Sequence, residues 1–115
     1  MMHVSRERFE EIAAQVLSEL PEWVKEQMDN VNVAVEDTPP PDQPNLLGLY
    51  YGVPLTKRGG HYSGVPDTIT LYRSTIERQA STEGDLVEAI RHVILHEVAH
   101  LMGISDQRLM DMGRY

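Results

Sequence analysis

Apolar side chains recur at spacings of three and four residues in two long segments of the chain. In the first segment, this spacing predicts an N-terminal helix that begins after Ser5, a favourable capping residue, and ends at Pro21. The apolar positions of this helix are Phe9, Ile12, Ala13, Val16, Leu17 and Leu20. A shorter helix containing Trp23, Val24 and Met28 is predicted to follow, with Pro21 in its first turn.

Three shorter segments are predicted to be β-strands. Residues 31–36 carry valine at every second position, which is typical of a half-buried strand. Residues 46–51 form the second candidate, and in the third, residues 68–73, Ile69 and Leu71 share one face. Residues 37–45 hold four prolines in nine positions, so we expect an extended, exposed loop between the first two strands.

Two capping signals indicate where further helices begin. Residues 74–77 read Ser-Thr-Ile-Glu, which matches a capping box and predicts a short helical turn. Residues 82–85 read Thr-Glu-Gly-Asp and repeat the pattern before the second long amphipathic segment. The resulting order is N-terminal helix, three strands, long helix and short C-terminal helix. This order predicts an α+β fold with helices on one face of a small mixed sheet of three to four strands.

Length, composition and charge limit the class of protein. With 115 residues the chain is long enough for one core, and we expect a single domain over residues 1–115. A formal net charge of −8 argues against nucleic acid and anionic membranes as partners, because both are polyanions, and favours a basic peptide. Cysteine is absent, so a metal site must use nitrogen and oxygen ligands. Neither a signal peptide nor a long apolar run is visible, which predicts a cytoplasmic protein.

The second long segment carries the candidate chemistry, and residues 96–106 read His-Glu-Val-Ala-His-Leu-Met-Gly-Ile-Ser-Asp. Side chains four positions apart share one face of a helix, with Cβ atoms ~5–6 Å apart, so His96 and His100 can converge on one metal ion. Glu97 then lies beside the ion, where its carboxylate can accept a proton from a water molecule that the metal activates. The alternative is an amphipathic helix with two surface histidines. Residue frequencies, however, give roughly 0.0001 chance occurrences of the extended pattern in this chain.

The third metal ligand has two candidates. After His100 the sequence contains no further His or Glu, which leaves Asp106 and Asp111. Gly103 favours Asp106, because glycine adopts the left-handed conformation that ends a helix and turns the chain back. Ser105 is predicted to cap a short helix over about residues 106–112, whose dipole favours an ionised carboxylate in the first turn.

The motif resembles that of the zincin metallopeptidases, and its final Asp is similar to the form found in small bacterial proteins of the minimal zincin type. Residues 48–56 and 66–73 also resemble this small family. The resemblance implies a zincin-like fold, one zinc ion bound by His96, His100 and Asp106, and Glu97 as the catalytic base. In that fold an edge strand beside the cleft pairs with an extended substrate. By analogy, the third strand is expected to be this element.

These features predict a zinc-dependent metallopeptidase that hydrolyses peptide bonds with a glutamate general base. The ion itself is less certain, since a site of two histidines and one carboxylate also accommodates iron, cobalt or nickel. Candidates for stabilising the oxyanion are Tyr51, His61, Tyr72 and Tyr115. His92 is expected either at the edge of the cleft or as a plain solvated histidine.

The main alternative is a zinc-binding zincin-fold interaction module with weak or no peptidase activity. It is favoured because nine residues follow Asp106, whereas larger relatives carry a C-terminal subdomain that forms the lower wall of the cleft. Against it, Glu97 is no ligand, and structural zinc sites tend to have four protein ligands where three are evident here. A third alternative is a metal-free domain that interacts through the proline-rich loop.

Overall fold

The computed structural model describes residues 1–57 and 66–111. This part of the chain forms five α-helices and a three-stranded mixed sheet, which confirms the predicted α+β class. The helices are α1 (Arg6–Ser18), α2 (Glu22–Gln27), α3 (Arg73–Arg78), α4 (Glu83–Leu101) and α5 (Asp106–Asp111). The strands are β1 (Val31–Glu36), β2 (Gly48–Tyr51) and β3 (Asp67–Tyr72), and a 3-10 turn spans Leu55–Lys57. Within the described ranges, no helix combines the length and apolar character needed to cross a membrane.

The sheet has the strand order β1-β3-β2, with β3 parallel to β1 and antiparallel to β2. The expectation that the third strand forms the edge beside the cleft is therefore wrong. β3 is the central strand, because it forms ladders on both of its edges. β1 and the short β2 are the outer strands, and β2 contacts α4.

The core lies between the sheet and the two long helices, α1 and α4. α4 contacts α1, β2 and β3. Every second residue of the strands faces the helices, and Val35, Ile69 and Leu71 are buried there. The largest buried helical side chains packed against them are Phe9, Ile12, Val16, Leu86, Ile90 and Ile94. The apolar faces predicted for both long helices are confirmed.

The starts of the long helices follow the predicted capping residues. The side chain of Ser5 accepts a hydrogen bond from the backbone N–H of Arg8 at 3.0 Å. The side chain of Thr82 accepts one from the N–H of Asp85 at 3.1 Å. Pro21 differs slightly from the prediction, since it is the N-cap residue of α2 and not part of the first turn.

The capping box predicted for residues 74–77 is wrong. α3 begins earlier, at Arg73, and its N-cap residue Tyr72 makes no side-chain capping hydrogen bond. Glu77, expected to close the box, is buried and lies 3.0 Å from Nδ1 of His3. Glu77 therefore contacts the N-terminal segment and does not cap its own helix. A pattern of four consecutive residues does not indicate such a long-range contact.

Candidate metal centre

α4 brings the two histidines of the motif together. The ring centroids of His96 and His100 are 4.8 Å apart in an edge-to-face arrangement, as expected for residues one helical turn apart. The ligand atoms of His96, Glu97 and His100 all lie within 4.8 Å of one another. Both imidazoles are partly buried, and Glu97 is only 6% exposed. The three side chains form a group that could hold a metal ion.

The helix ends in a Schellman motif centred on Gly103, whose φ is +88°. The N–H of Gly103 donates to the carbonyl of His100, and the N–H of Ile104 donates to the carbonyl of Ala99, each at 2.9 Å. A residue with a Cβ atom adopts this φ at a steric cost that glycine avoids. The chain reverses here, as predicted from Gly103, and returns Asp106 toward the histidines.

The same turn fixes the orientation of His100. Its Nδ1 lies 2.9 Å from the carbonyl oxygen of Ile104. A carbonyl can only accept a hydrogen bond, so Nδ1 must carry the proton, and Nε2 of a neutral ring then has a free lone pair. Metal-binding histidines in proteins are usually oriented by such a contact on the other ring nitrogen. Nε2 of His100 is therefore the atom suited to bind a metal.

Asp106 lies opposite both imidazoles. Its Oδ1 is 2.9 Å from Nε2 of His100 and 3.1 Å from Nε2 of His96. Two ligand atoms of one tetrahedral zinc, each bound at ~2.0–2.1 Å, are about 3.3 Å apart, close to these distances. The hydroxyl of Ser105 accepts a hydrogen bond from the N–H of Arg108 at 3.2 Å, which confirms the predicted cap. Asp106 consequently occupies the first turn of α5.

The contact between His100 and Asp106 shows that these residues fit a cation. An unprotonated Nε2 and a carboxylate oxygen are both acceptors, and at 2.9 Å they repel each other unless a proton or a metal ion lies between them. The same oxygen also faces Nε2 of His96. Protons on the two rings would satisfy these contacts one at a time, whereas one divalent ion would contact all three atoms together. Two imidazole nitrogens and a carboxylate oxygen are a ligand set that zinc accepts.

Glu97 approaches the same space from the side of the sheet. Its Oε1 accepts a hydrogen bond from the backbone N–H of Tyr50 on β2 at 2.9 Å. In the metal-free chain, burial raises the pKa of Glu97, while His100, His96 and the Tyr50 N–H favour the ionised form and limit the rise. A carboxylate whose pKa is raised toward neutrality is suited to proton transfer near pH 7. Glu97 is thus anchored beside the histidines by a different element of the fold.

Gly48 allows β2 to come this close to α4. A Cβ atom at this position would lie 2.6 Å from Cγ1 of Val93, 3.0 Å from the carbonyl oxygen of Thr70 and 3.5 Å from Cγ of Glu97. A larger residue would separate the strand from the helix and move the N–H of Tyr50 away from Glu97. This anchor was not predicted from the sequence. The available signal was a glycine inside the strand predicted over residues 46–51, which often marks a close backbone approach.

Two further candidates from the sequence are His92, which lies at the edge of the site, and Tyr51, which lies away from it. His92 is exposed, with its ring centroid 6.4 Å from that of His96, which places it at the edge of the cleft. Tyr51 is 78% exposed. Since strand residues alternate between faces, its side chain lies on the opposite face of β2 from Gly48 and Tyr50.

Tyr72 is buried at the end of β3. Burial raises the pKa of its phenol, and the carboxylates of Glu36 and Glu97 raise it further. The phenol therefore keeps its proton at neutral pH. The remaining candidates lie outside the part that the structure describes: His61, Tyr115 and the side chain of Asp111.

The domain has a helix with the motif His-Glu-x-x-His packed on a small mixed sheet, and the turn after this helix brings the carboxylate of Asp106 to the histidines. This combination is typical of a zincin-type domain. The chain belongs to the zincin-like metallopeptidase family, whose sequence model matches residues 28–114, and this confirms the suspected family. Family membership implies a metal ion, usually zinc. The fold is also similar to a solved conserved hypothetical protein from Thermo thermophilus, with a TM-score of 0.61 and 25% sequence identity over 96% of this chain and 100% of that chain. No curated protein matches the chain.

Proposed function

We propose that the protein is a zinc-dependent metallopeptidase that hydrolyses peptide bonds. In this proposal His96, His100 and Asp106 bind the metal, and Glu97 is the general base. The observation that supports it best is the convergence of Nε2 of His96, Nε2 of His100 and Oδ1 of Asp106, at 2.9–3.1 Å from nitrogen to oxygen. One divalent ion would bind all three atoms, and Glu97 lies beside them without being required as a ligand.

The chain's own residues supply the proton transfers of the reaction. Zinc in such a site polarises the substrate carbonyl and makes water nucleophilic near pH 7. Glu97 accepts the proton of the attacking water and then passes it to the leaving amine. The N–H of Tyr50 holds one oxygen of Glu97, so the other oxygen is the one that faces the reacting groups. The Ile104 carbonyl keeps His100 in the tautomer that binds metal.

The proposed substrate is a peptide or protein, not a nucleic acid or membrane. β2 is the outer strand of the described sheet that packs against α4, so an extended peptide can align along it and cross the metal centre. The net charge of −8 favours basic peptides by electrostatic attraction and disfavours polyanions.

The role of Glu97 is tested by the variant Glu97→Gln. Glutamine keeps an oxygen that can accept the Tyr50 N–H but cannot take a proton from water. We expect zinc content close to that of the parent and a loss of peptide hydrolysis of at least 10²-fold. Hydrolysis of a mixed peptide library, with and without a chelator, measures the second quantity. Equal activity of the two proteins would refute the assignment.

The ligand role of Asp106 is tested by Asp106→Ala, with Asp111→Ala as the matched control. Removing one of three ligands should weaken zinc binding by orders of magnitude in a chelator competition, while the control should bind like the parent. Unchanged affinity in Asp106→Ala would contradict the assignment. If the parent binds zinc but cleaves no peptide in the library, the interaction module is the better description.

A further inference from the structure

An apolar groove lies between α2 and α4 and reaches the proposed metal centre. We call it the Trp23 groove; its cavity volume is about 560 Å³. Its apolar lining includes Leu20, Trp23, Leu95, Ala99, Met102 and Ile104. His92 and His96 also line the groove, so it includes one of the proposed metal ligands. Trp23 is 58% exposed and Leu95 is 40% exposed, so two large apolar side chains face solvent beside a proposed metal ligand.

The two charged residues of the Trp23 groove, Glu19 and Arg91, are paired with each other. Nη2 of Arg91 lies 3.6 Å from Oε2 of Glu19, and Arg91 also pairs with Glu88, which lies outside the groove lining. Most of the remaining lining is apolar. A ligand of the groove therefore gains by burying apolar surface and not by pairing with a charge.

A second cavity, of about 340 Å³, lies on the other side of the same histidines. His92 and His96 line both cavities. Besides the histidines, the lining of the second cavity combines polar side chains (Asn45, Gln79, Glu97) with apolar ones (Leu46, Leu47, Val93). The second cavity is therefore mixed in character, whereas the Trp23 groove is mainly apolar.

We propose that the Trp23 groove is the subsite for a bulky apolar side chain of the peptide, adjacent to the bond held at the metal centre. This inference rests on the proposed function. A volume of about 560 Å³ is within the range of ~300–1,000 Å³ that is usual for ligand pockets. Residues of an extended peptide are ~3.3 Å apart, so a side chain next to the reacting bond can reach a groove that has His96 in its lining.

A second copy of the chain is a less suitable occupant. Two copies carry a net charge of −8 each and repel one another. A copy lying in the groove would also cover His96 and block the proposed metal centre. A single peptide side chain in the groove would not block the proposed metal centre. A neutral or basic peptide would also not be repelled by the negative charge of the protein.

Trp23 makes the groove directly measurable, because it is the single tryptophan of the chain. Zinc-loaded Glu97→Gln is titrated with a blocked glycine-rich pentapeptide that has one central phenylalanine, and with the same peptide carrying alanine there. We expect a saturable blue shift of the Trp23 emission with the phenylalanine peptide and at least tenfold weaker binding of the alanine peptide. Leu95→Ala in this background should weaken binding of the phenylalanine peptide several-fold, and Ala99→Leu, which fills the groove, should abolish it.

The control is Val53→Ala, which removes an apolar side chain of similar exposure, 43%, outside the groove. It should leave the binding curve unchanged. Equal shifts with both peptides, or none with either, would overturn the groove proposal even if the zinc-loaded parent cleaves peptides. A shift that depends on protein concentration without peptide would assign the groove to a second copy and also overturn it. Phenylalanine-dependent binding without hydrolysis by the parent would support the groove and contradict the proposed peptidase.

Discussion

Replacement of Gly103 by alanine tests the turn on which the proposed metal centre depends. Gly103 has φ +88°, a left-handed conformation that costs a residue with a Cβ atom ~1–2 kcal/mol. The new Cβ would also clash with Oγ1 of Thr56 and lie 2.8 Å from its Cγ2. Because Thr56 is exposed, its segment can move, and the clash should cost about 1 kcal/mol, at the low end for overpacking. We therefore expect Gly103→Ala to lower the free energy of unfolding by about 2–3 kcal/mol.

A double-mutant cycle separates these two costs. Thr56→Ala removes both atoms that the new methyl group meets most closely, but it leaves the backbone conformation unchanged. In the Gly103→Ala background it should recover about 1 kcal/mol, and the remaining loss of ~1–2 kcal/mol belongs to the left-handed φ. Urea unfolding of the four metal-free proteins measures every corner of the cycle.

Zinc affinity is the second measurement on the same variants. Ile104 and Asp106 lie one and three residues after Gly103, and they supply the carbonyl that orients His100 and the proposed third ligand. A distorted turn should weaken zinc binding by at least tenfold in a chelator competition, since small displacements of ligand atoms are costly. If Gly103→Ala is as stable as the parent and binds zinc equally well, the turn does not have the assigned role. If Thr56→Ala restores nothing, only the assigned clash is wrong.

Three further predictions concern the surroundings of the site. Gly48→Ala should lower the free energy of unfolding by about 1–3 kcal/mol, measured with urea, because its Cβ would lie 2.6 Å from Val93; a neutral effect would contradict the close packing of β2 on α4. Ser105→Ala should cost ~0.5–2 kcal/mol of helix-cap stability and reduce zinc affinity, which calorimetry would measure; unchanged affinity would show that the cap does not position Asp106. The raised pKa of the Tyr72 phenol stabilises the fold below pH ~10, and this contribution is lost as the pH rises through and above that value. Tyr72→Phe should therefore flatten the alkaline decline in stability, and an unchanged slope would exclude Tyr72 as its source.

The proposed metal ligands could be predicted from sequence because they are close together in the chain. His96 and His100 are one helical turn apart, and Gly103 together with Ser105 specifies how the helix ends and the next one begins. Helix periodicity and capping are local, so eleven residues contain most of the geometry that brings Asp106 to the histidines.

The anchor of Glu97 could not be predicted in the same way. The N–H of Tyr50 belongs to a residue 47 positions earlier in the chain, and its contact depends on which strand forms the edge of the sheet. Strand order follows from long-range pairing, and alternation within β3 shows which side chains share a face but not which strands lie beside it. The contact between Glu77 and His3 could not be predicted for the same reason. His3 lies 74 positions earlier in the chain, so the sequence around Glu77 does not indicate it.

In the proposed site, metal binding is coupled to the packing of α5 against α4, because Asp106 belongs to α5 and the two histidines belong to α4. A helix of six residues is too short to be stable alone in water, so α5 depends on its contacts with the rest of the chain. Asp106 is the residue through which its first turn reaches both imidazoles, and without a cation that contact includes two facing acceptors. A bound ion replaces this repulsion with attraction, and a ligand present at 100 times its dissociation constant adds about 2.7 kcal/mol to stability. The metal proposed to supply the chemistry would therefore also hold α5 against α4, so loss of zinc should loosen α5 as well as remove activity.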